Sequence, residues 1–542
     1  MQILYNARIY TLDPSILEAS ALVIDGGRIL AVGDSGAIRS EFGQISTGTQ
    51  AVDFQDLQGR TVLPGLIDAH LHLLQYALSL RKVDCETDSK ALCLQRVAER
   101  AIQSAGGEWI LGHGWNQNSW QDGWGTRLEL DQVAPENPVY LTAKSLHAGW
   151  ANSAALNRAG ITASTPDPQG GRIGRDATGN PDGILFESAM DLVAEAVPSP
   201  TQSEITQAIE QAQAVLWQFG LTGIHDFDRR SCFMALQELH LDHRLKLRVT
   251  KSIPLEELAH AAALGLRTGF GDDYLRIGSV KAFADGALGP RTAAMLQPYE
   301  SEPQNRGMLL LDGEELYEHG RMAVENGLSL AVHAIGDRAN HEVLNAFGQL
   351  RDYERTHSSQ GDLPGPAKLR HRIEHVQLIH PDDANRLADL NVIASMQPIH
   401  ATSDMFMADR FWGERAALSY AWRTQQQAGA VLAFGSDAPV ESPNPFWGIH
   451  AAVTRRRADG IPGVDGWYPE QRLTLLEALR GFTGGAAYAA GMEDRLGKLA
   501  GGYLADLVVL NTDLLHCEVE QIKDIQPVGT MVGGEWVFKQ FE

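Results

Sequence analysis

Eight apolar runs that alternate with helical patterns constrain the fold of this chain more than any other feature. The runs occupy residues 61–73, 220–227, 245–253, 275–286, 328–337, 370–379, 392–401 and 431–440. Amphipathic stretches with helical spacing intervene, for example residues 203–220 and 314–327. Near-continuous apolar strands separated by helices are typical of a parallel sheet that is buried on both faces. Eight such units predict an α/β fold, a TIM-type (β/α)8 barrel over residues 61–494, with its active site at the carboxyl ends of the strands.

The two ends of the chain predict a second, smaller domain. In residues 21–32, two apolar runs flank Asp25-Gly26-Gly27, and Gly533-Gly534 separates two apolar runs near the carboxyl end. Both patterns are hairpin signals. We therefore expect residues 1–60 and 495–542 to form one composite β-sandwich, with the barrel between its two halves.

One interval within the barrel is too long for an ordinary loop. It covers about residues 76–200, after the first barrel strand, and it holds Trp109, Trp115, Trp120, Trp124 and Trp150. A segment of this length usually has its own structure and often serves as an active-site lid. Two interpretations of the tryptophans stay open, a core that holds the insertion together and an aromatic wall that faces the substrate.

Composition bears on the class of partner. The chain has 542 residues, and 45 basic against 68 acidic residues give it a formal net charge of −23. This balance disfavours binding to nucleic acids or anionic membranes. Four cysteines without a CxxC pair favour free thiols in a reducing compartment, and we see neither a signal-peptide pattern nor a membrane-spanning run. We predict a cytoplasmic protein with a small-molecule substrate, and we leave a homodimer open.

Polar side chains recur where the predicted strands end. His70 and His72 end the first strand, and residues two apart on a strand point to the same side. Both imidazoles can therefore reach one divalent ion such as zinc. The fourth, fifth, sixth and eighth strands supply further candidates, Lys281, His333, His375 and Asp437. Together these residues predict one site at the carboxyl rim of the barrel.

Each of these residues also has a structural explanation when it is taken alone. His333 and His375 could be hydrogen-bonded core histidines, with Glu374 on the opposite face of its strand from His375. Lys281 could form a salt bridge in the barrel mouth, and Asp437 could cap a helix. The joint order of two His, Lys, His, His and Asp at successive strand ends favours a metal site instead.

These motifs resemble the amidohydrolase superfamily of metal-dependent hydrolases, in particular amidohydrolase family 3, the branch that includes N-substituted formamide deformylase. The resemblance covers nearly the whole chain through PGLIDAHLHL, VKAFADGALG, VHAIGD, RIEHVQ and GSDAPV, in this order. It implies a hydrolase of non-peptide C–N bonds (EC 3.5), with an amide of the N-acyl or N-substituted formamide type as substrate.

The resemblance also implies one or two divalent ions, with zinc preferred. It assigns the more buried ion to His70, His72 and Asp437, and a second ion to His333 and His375. Lys281 would be carboxylated on its amine and would bridge both ions. That modification needs the neutral amine, which burial favours.

Catalysis would then depend on Asp437 and His333. A metal-activated hydroxide would attack the substrate, with Asp437 as the general base and later the general acid. The second ion or His333 would polarise the substrate carbonyl and stabilise the oxyanion.

Weaker candidates surround this set. The stretch HAGWANSAAL also resembles the family, so His147 and Asn152 are candidate substrate contacts, although hydrogen bonds at the surface or within the insertion are the favoured explanation. Asp285 and Arg291 could line the mouth of the site or stabilise their own loop. Trp115 is a candidate substrate contact from the insertion.

Three more polar residues have less defined roles, and two other functions stay open. Glu187 is a weaker candidate for a bridging carboxylate, His225 is expected to be a structural or pocket residue, and His113 has no assigned role. A ring-amine deaminase would use the same scaffold with one ion, but Lys281 counts against it. A metal-free binding protein is disfavoured because all six expected positions are filled.

Overall fold

The computed structural model describes residues 1–43, 52–117, 120–144, 148–358 and 369–542. They form two compact units, one of Met1–Tyr76 with Thr206–Glu542 and the other of Ala77–Ile205. In the described part of the chain, no helix is both long and apolar enough to cross a membrane. This division does not separate the sandwich from the barrel, so the domain limits stated above stay predictions.

The larger unit contains the predicted parallel barrel sheet. Its eight strands, which we number β1 to β8 in chain order, are Leu66–Leu71, Leu221–Asp226, Arg248–Pro254, Leu275–Phe283, Leu330–Ala334, Arg372–His375, Ile393–Met396 and Leu432–Phe434. Each strand pairs in parallel with the next one along the chain. Every strand lies within one of the eight apolar runs, apart from Pro254 at the end of β3, so the predicted fold class is confirmed.

The first and last strands approach each other through residues just beyond their ladders. The backbone N–H of Asp437 donates to the carbonyl of His70 at 2.7 Å, and that of His72 donates to Ala438 at 2.9 Å. Leu71 and Ala438 form an isolated parallel bridge. The junction that closes the barrel is thus built from the same residues that carry the candidate ligands.

The first apolar run is not one strand, as expected, but two. Thr61–Pro64 pairs with Leu507–Leu510 in a sheet of the sandwich, and β1 begins at Leu66. Gly65 lies between them, where a Cβ atom would be 2.3 Å from Oγ1 of Thr222. Glycine therefore permits the close approach at which the chain passes from one sheet to the other.

Two sheets from both ends of the chain form the sandwich. One has the order Arg28–Gly33, Ala21–Asp25, Gln2–Tyr5 and Asp53–Asp56. The other has the order Glu535–Lys539, Pro527–Val532, Leu507–Leu510, Thr61–Pro64, Arg8–Asp13 and Ile16–Ala19. Leu4 and Leu22 of the first sheet share a buried core with Ile9 and Leu507 of the second. Both predicted hairpins are present, and their glycine pairs adopt positive φ.

Helices connect the strands of the larger unit. The α-helices are Ser35–Phe42, Leu73–Ser79, Gln202–Gln218, Arg230–Leu241, Leu258–Ala263, Gly313–Glu325, Asp337–Ser358, Arg386–Asp389, His400–Trp412, Trp422–Ala428, Pro445–Thr454, Leu475–Arg480 and Ala486–Ala489. Asp312 and Thr474 begin two of them with capping boxes that satisfy free N–H groups of the first turn. Asn444, not Asp437, caps the helix after β8, which excludes the capping explanation for Asp437 there.

The smaller unit has a mixed sheet and its own core. Its strands lie in the order Gly171–Arg175, Pro181–Glu187, Ala148–Ala151, Val139–Ala143, Ile110–Trp115 and Val83–Asp84. Its helices are Lys90–Gln103, Arg127–Val133, Ser153–Arg158 and Asp191–Ala194. Trp115, Trp120 and Trp150 are buried together in this core. For these three tryptophans, the structure supports the interpretation in which they hold the insertion together.

Candidate metal centre

The carboxyl ends of the barrel strands bring the predicted ligands to one place. His70 lies in β1 and His72 follows it, Lys281 lies in β4, His333 in β5, His375 ends β6, and Asp437 follows β8. The ring of His375 is 5.0 Å from that of His70 and 4.6 Å from that of His333. Residues more than 300 positions apart in the sequence therefore face each other at the rim where barrel active sites lie.

Two pairs of ligand atoms have the spacing of neighbouring ligands of a tetrahedral ion. Nε2 of His70 is 3.5 Å from Oδ1 of Asp437, and Nε2 of His72 is 3.4 Å from the same oxygen. Two ligands bound at about 2.0–2.1 Å to a tetrahedral zinc ion are separated by about 3.4 Å. Ligand atoms of His70, His375 and Asp437 also lie within 4.8 Å of one another. The residues present thus fit a divalent ion.

The other ring nitrogen of three of these histidines is held by an oxygen. The Nδ1–H of His70 donates to Oε2 of Glu374 at 2.6 Å. That of His72 donates to Oδ1 of Asp228 at 3.2 Å. That of His375 donates to Oε1 of Gln397 at 2.7 Å. Metal-binding histidines are usually oriented by such outer partners. The bonds leave Nε2 of each neutral ring with the lone pair that a metal needs.

Two of the ligands lie on strained backbone. His375 has φ of 75° and Val376 of 43°, while Asp437 has φ of 59°. Non-glycine residues rarely adopt this left-handed region, and they do so most often at functional sites. The turn at His375 also corrects an expectation: Glu374 does not point away from the site but contacts His70, the same ring that His375 approaches.

The pKa values of His70, His72 and Asp437 are shifted in different directions. Burial and the Lys281 ammonium lower the pKa of His70 to about 4. Burial also lowers the pKa of His72, but hydrogen bonds to Asp228 and Asp437 outweigh it and raise that pKa to about 9. Burial raises the pKa of Asp437, yet the charges of the neighbouring imidazoles hold it well below its usual range. Binding of a metal would replace the proton on His72.

Lys281 is enclosed by two aromatic rings. Its Nζ is 4.6 Å from the ring centre of Phe227 and 4.9 Å from that of Phe283. Phe227 in turn stacks on His70 at 4.2 Å. Burial lowers the pKa of Lys281 to about 8, so a larger fraction of neutral amine is present near neutral pH than for an exposed lysine.

His333 is anchored through the nitrogen opposite to that of the other histidines. Its Nε2 is 2.9 Å from the carbonyl of Gly286 and 3.6 Å from Oδ1 of Asp285. Burial and the Lys281 charge lower its pKa to about 3, so the ring is neutral. With Nε2–H donating to the carbonyl, Nδ1 carries the lone pair.

A cavity of about 330 Å³ opens beside His72 and Lys281, and Phe227, Pro254 and Phe283 form its apolar wall. Ligand-binding clefts typically have volumes of about 300–1,000 Å³ and mostly apolar walls. Another cavity of about 400 Å³ lies at the start of β8, but none of the predicted ligands lines it. The cavity at the metal ligands is the candidate substrate pocket.

Two predicted substrate contacts, Asp285 and Arg291, have partners in neighbouring loops. Asp285 is buried, and its carboxylate accepts the N–H groups of Ile335, Gly336 and Ala294 at 2.8–3.0 Å. Arg291 forms an ion pair with Glu302. Of the two explanations that the sequence left open for Asp285 and Arg291, the structure supports loop stabilisation.

The candidates from the insertion have internal partners or lie outside the described residues. Trp115 is fully buried and donates to the carbonyl of Leu141, and all polar atoms of Asn152 bond to the backbone around it. These contacts oppose the prediction of substrate binding for both. His147 lies outside the described residues. Glu187 ends an insertion strand, and His113 bonds to Thr142 there.

A second acidic cluster lies next to the site, but the ammonium group of Lys251 already pairs with it. Asp226, Asp228 and Cys232 present ligand atoms within 4.8 Å of one another. Nζ of Lys251 is 2.9 Å from Oδ2 of Asp226, and Oδ1 of Asp226 accepts the N–H of Leu73 at 2.9 Å. We interpret this cluster as a buried ion pair that positions the turn after β1.

Several residues beside the site were missed by the sequence reasoning. Glu374, Asp228 and Gln397 orient the ligands, and the ring of His400 lies parallel to that of His375 at 6.2 Å. Asp228, Gln397 and His400 follow the ends of β2 and β7, so their position at the carboxyl ends of these strands was a usable signal. Nothing local in the sequence distinguishes Glu374.

Comparison with known proteins identifies the family. The model of the amidohydrolase family matches residues 53–538. The chain belongs to the amidohydrolase family. This confirms the resemblance stated from its motifs.

Relatives of this amidohydrolase match it along nearly their whole length. It is 34% identical to the protein LONG AFTER FAR-RED 3 of Arabidopsis thaliana, over 98% of this chain and 91% of that protein. It is 29% identical to the N-substituted formamide deformylase of Arthrobacter pascens, over 98% and 96%. The crystal structure of an uncharacterized metal-dependent hydrolase from Pyrococcus furiosus superimposes with a TM-score of 0.75 at 30% identity, over 95% and 99%. The chain is thus a metal-dependent hydrolase of the amidohydrolase superfamily.

Proposed function

We propose that this amidohydrolase cleaves a non-peptide C–N bond, in an amide of the N-acyl or N-substituted formamide type. The observation that carries the proposal is the approach of two imidazole Nε2 atoms, those of His70 and His72, to one oxygen of Asp437 at 3.5 and 3.4 Å. A carboxylate in that position can hold an ion and exchange protons with a reactant. The formamide type is supported by the name of the deformylase relative.

The ligand set favours zinc. Imidazole nitrogens and a carboxylate oxygen are typical zinc ligands, and His333 and His375 would supply a second ion. Carboxylation of Lys281 would add a bridging oxygen ligand, and the lowered pKa of its amine supports that modification. When bound, such an ion lowers the pKa of water towards about 7 and polarises a carbonyl oxygen.

The proton transfers are assigned to Asp437. Its Oδ1 faces the two imidazoles, which leaves Oδ2 to accept a proton from the attacking water. The same oxygen then returns the proton to the leaving nitrogen as the C–N bond breaks, so that a carboxylic acid and an amine form. The low pKa of Asp437 keeps the base ionised at neutral pH.

His333 is assigned to metal binding rather than to direct contact with the substrate carbonyl. Because its Nε2–H donates to Gly286, the neutral ring has no second N–H with which to stabilise an oxyanion. Its lone pair at Nδ1 suits a metal ion.

The test combines elemental analysis with an amide screen on the same preparation of the full chain. We expect one or two zinc ions per chain, hydrolysis of N-substituted formamides or N-acyl amines, and loss of activity after dialysis against a strong chelator. Activity retained after removal of all metal would contradict the proposal. Ammonia release from ring amines by a protein with one ion per chain would support the deaminase alternative instead.

Asp437→Asn tests the proton transfers. We expect kcat to fall by about 10²–10⁴-fold with the fold unchanged. The matched control is Asp383→Asn, since Asp383 is a buried carboxylate that also contacts a histidine, His341, at 3.0 Å but lies outside the site. Equal activities of the two variants would contradict the role of Asp437. The small-molecule substrate and the cytoplasmic location stay predictions, and a homodimer stays open.

A further inference from the structure

Arg372 is a buried cation that joins four barrel strands. It is 2% exposed, and its guanidinium bonds both carboxylate oxygens of Glu374, two residues along β6. It also donates to Nδ1 of His225 on β2 at 2.7 Å, to Oγ of Ser395 on β7 at 2.8 Å, and to the carbonyl of Ala69 on β1. A planar guanidinium with fixed donor directions therefore leaves the Glu374 carboxylate little freedom to rotate.

Glu374 transmits this constraint to the metal site. Its Oε2 accepts the Nδ1–H of His70 at 2.6 Å, and the side chain is fully buried. The bond sets the tautomer of His70 and turns Nε2 towards Asp437, 3.5 Å away. A movement of the carboxylate would move the ring that the ion must bind.

We propose that Arg372 and Glu374 are a positioning pair that sets the metal affinity of the site through His70. Neither residue touches the ion or the substrate. The inference rests on the proposed function, since it requires that His70 binds a metal. A purely structural ion pair would affect folding but would leave the affinity for metal unchanged.

The helix Asp337–Ser358 and His371, the residue before β6, offer a matched control. Arg351 donates to Glu354 at 2.7 Å, and Glu354 accepts from Nε2 of His371 at 3.0 Å. All three residues are buried, but the second nitrogen of His371 accepts the backbone N–H of Leu330 at 3.0 Å. This second set has the same chemistry without an open nitrogen.

The test is zinc competition against a chelator of known affinity, with the full chain at fixed pH. We expect Glu374→Gln to weaken zinc binding by about 10–100-fold, the range for partners that orient a ligand. Arg372→Lys keeps the charge but loses the paired bonds, and we expect a smaller loss of several-fold. The cobalt(II)-loaded variants should show altered visible spectra, whereas Glu354→Gln should match the parent in both measurements.

The outcomes separate this inference from the proposed function. If the parent takes up no zinc or cobalt, both are wrong. If the parent binds zinc and the folded Glu374→Gln variant binds it within two-fold of the parent, only the positioning role is wrong. If Glu374→Gln does not fold, the test depends on Arg372→Lys. A zinc affinity and a cobalt(II) spectrum equal to those of the parent in that variant would overturn the inference.

Discussion

Two buried Arg–Glu–His sets lie close to strand β6 and differ in one bond. We name them the site triad, formed by Arg372, Glu374 and His70, and the structural triad, formed by Arg351, Glu354 and His371. None of the six residues is more than 6% exposed. In both, an arginine holds a glutamate that holds a histidine. The residue types alone do not tell which of the two belongs to a functional site.

The second ring nitrogen makes the difference. In the structural triad, Nδ1 of His371 accepts a backbone N–H at 3.0 Å, so both nitrogens of the ring are used for packing. In the site triad, Nε2 of His70 instead faces the carboxylate of Asp437, which has no proton to give at neutral pH. Two electron-rich atoms facing each other are stabilised by a shared cation. The comparison teaches that a ligand is recognised by an unfilled hydrogen-bonding position rather than by its residue type.

The largest expected effect separates the two histidines. His70→Gln should lose bound metal and lower kcat/KM by more than about 10²-fold, because both the ion and the alignment of Asp437 depend on this ring. His371→Gln should retain the parental metal content per chain. Elemental analysis and steady-state kinetics of both variants provide the check, and equal metal loss in the two would break the comparison.

Breaking the ion pair of the structural triad should cost stability without affecting metal binding. Glu354→Gln removes a buried negative charge that pairs with Arg351 and His371, so we expect the free energy of unfolding to fall by about 3 kcal/mol. Equilibrium denaturation of the metal-free protein measures this change. Zinc affinity measured in parallel should stay within two-fold of the parent, and a larger shift would mean that the structural triad is coupled to the site.

Acid should destabilise the metal-free protein through both triads. Burial lowers the pKa of His70 to about 4 and also lowers that of His371 from 6.5, so each stays neutral when folded but takes up a proton when unfolded. Stability should therefore fall as the pH decreases below about 6.5. His371→Gln should flatten this slope by up to about 1.4 kcal/mol per pH unit, as measured by denaturation at pH 7, 6 and 5. An unchanged slope would show that His371 is not held neutral.

The smallest expected effect concerns one bond of Arg372. Ser395→Ala removes the hydroxyl that accepts from Nη2 at 2.8 Å, and we expect a loss of about 1 kcal/mol in stability. Zinc affinity should fall by no more than about three-fold, because Glu374 keeps its paired bonds. Ser279→Ala, which removes a buried barrel hydroxyl bonded to Ser329, is the control and should leave zinc affinity unchanged. A larger loss of zinc affinity in Ser395→Ala than in Arg372→Lys would contradict the expectation that the paired bonds to Glu374 matter more than the bond to Ser395.

Much of the fold could be predicted from the sequence because its signals are local. Continuous apolar runs predict buried parallel strands, and each of the eight barrel strands begins in one of them. The glycine pairs predict the two hairpins for the same reason, since the required φ angles belong to the turn itself. The break at Gly65 was missed because it depends on Thr222, a residue in a different strand.

The candidate site also contains residues whose role local sequence predicts and residues whose role depends on distant contacts. His70 and His72 were predictable because the period of a strand places both on one side. Glu374 was predicted to face away because that period was extended to the last residue of β6, where φ at His375 turns positive. Trp115 and Asn152 were ambiguous because a residue type does not reveal whether its polar atoms already have partners.

By itself, the sequence determined which residues could bind a metal and at which strand ends they stand, because strand period and apolar runs are properties of neighbouring residues. Only the tertiary structure decided which imidazole nitrogen stays open. His70 and Glu374 are separated by 304 positions in the chain, and their bond exists only because β1 and β6 face each other across the barrel. A hydrogen bond between distant strands leaves no pattern in the local sequence, although it decides whether a buried histidine is a ligand or part of the core.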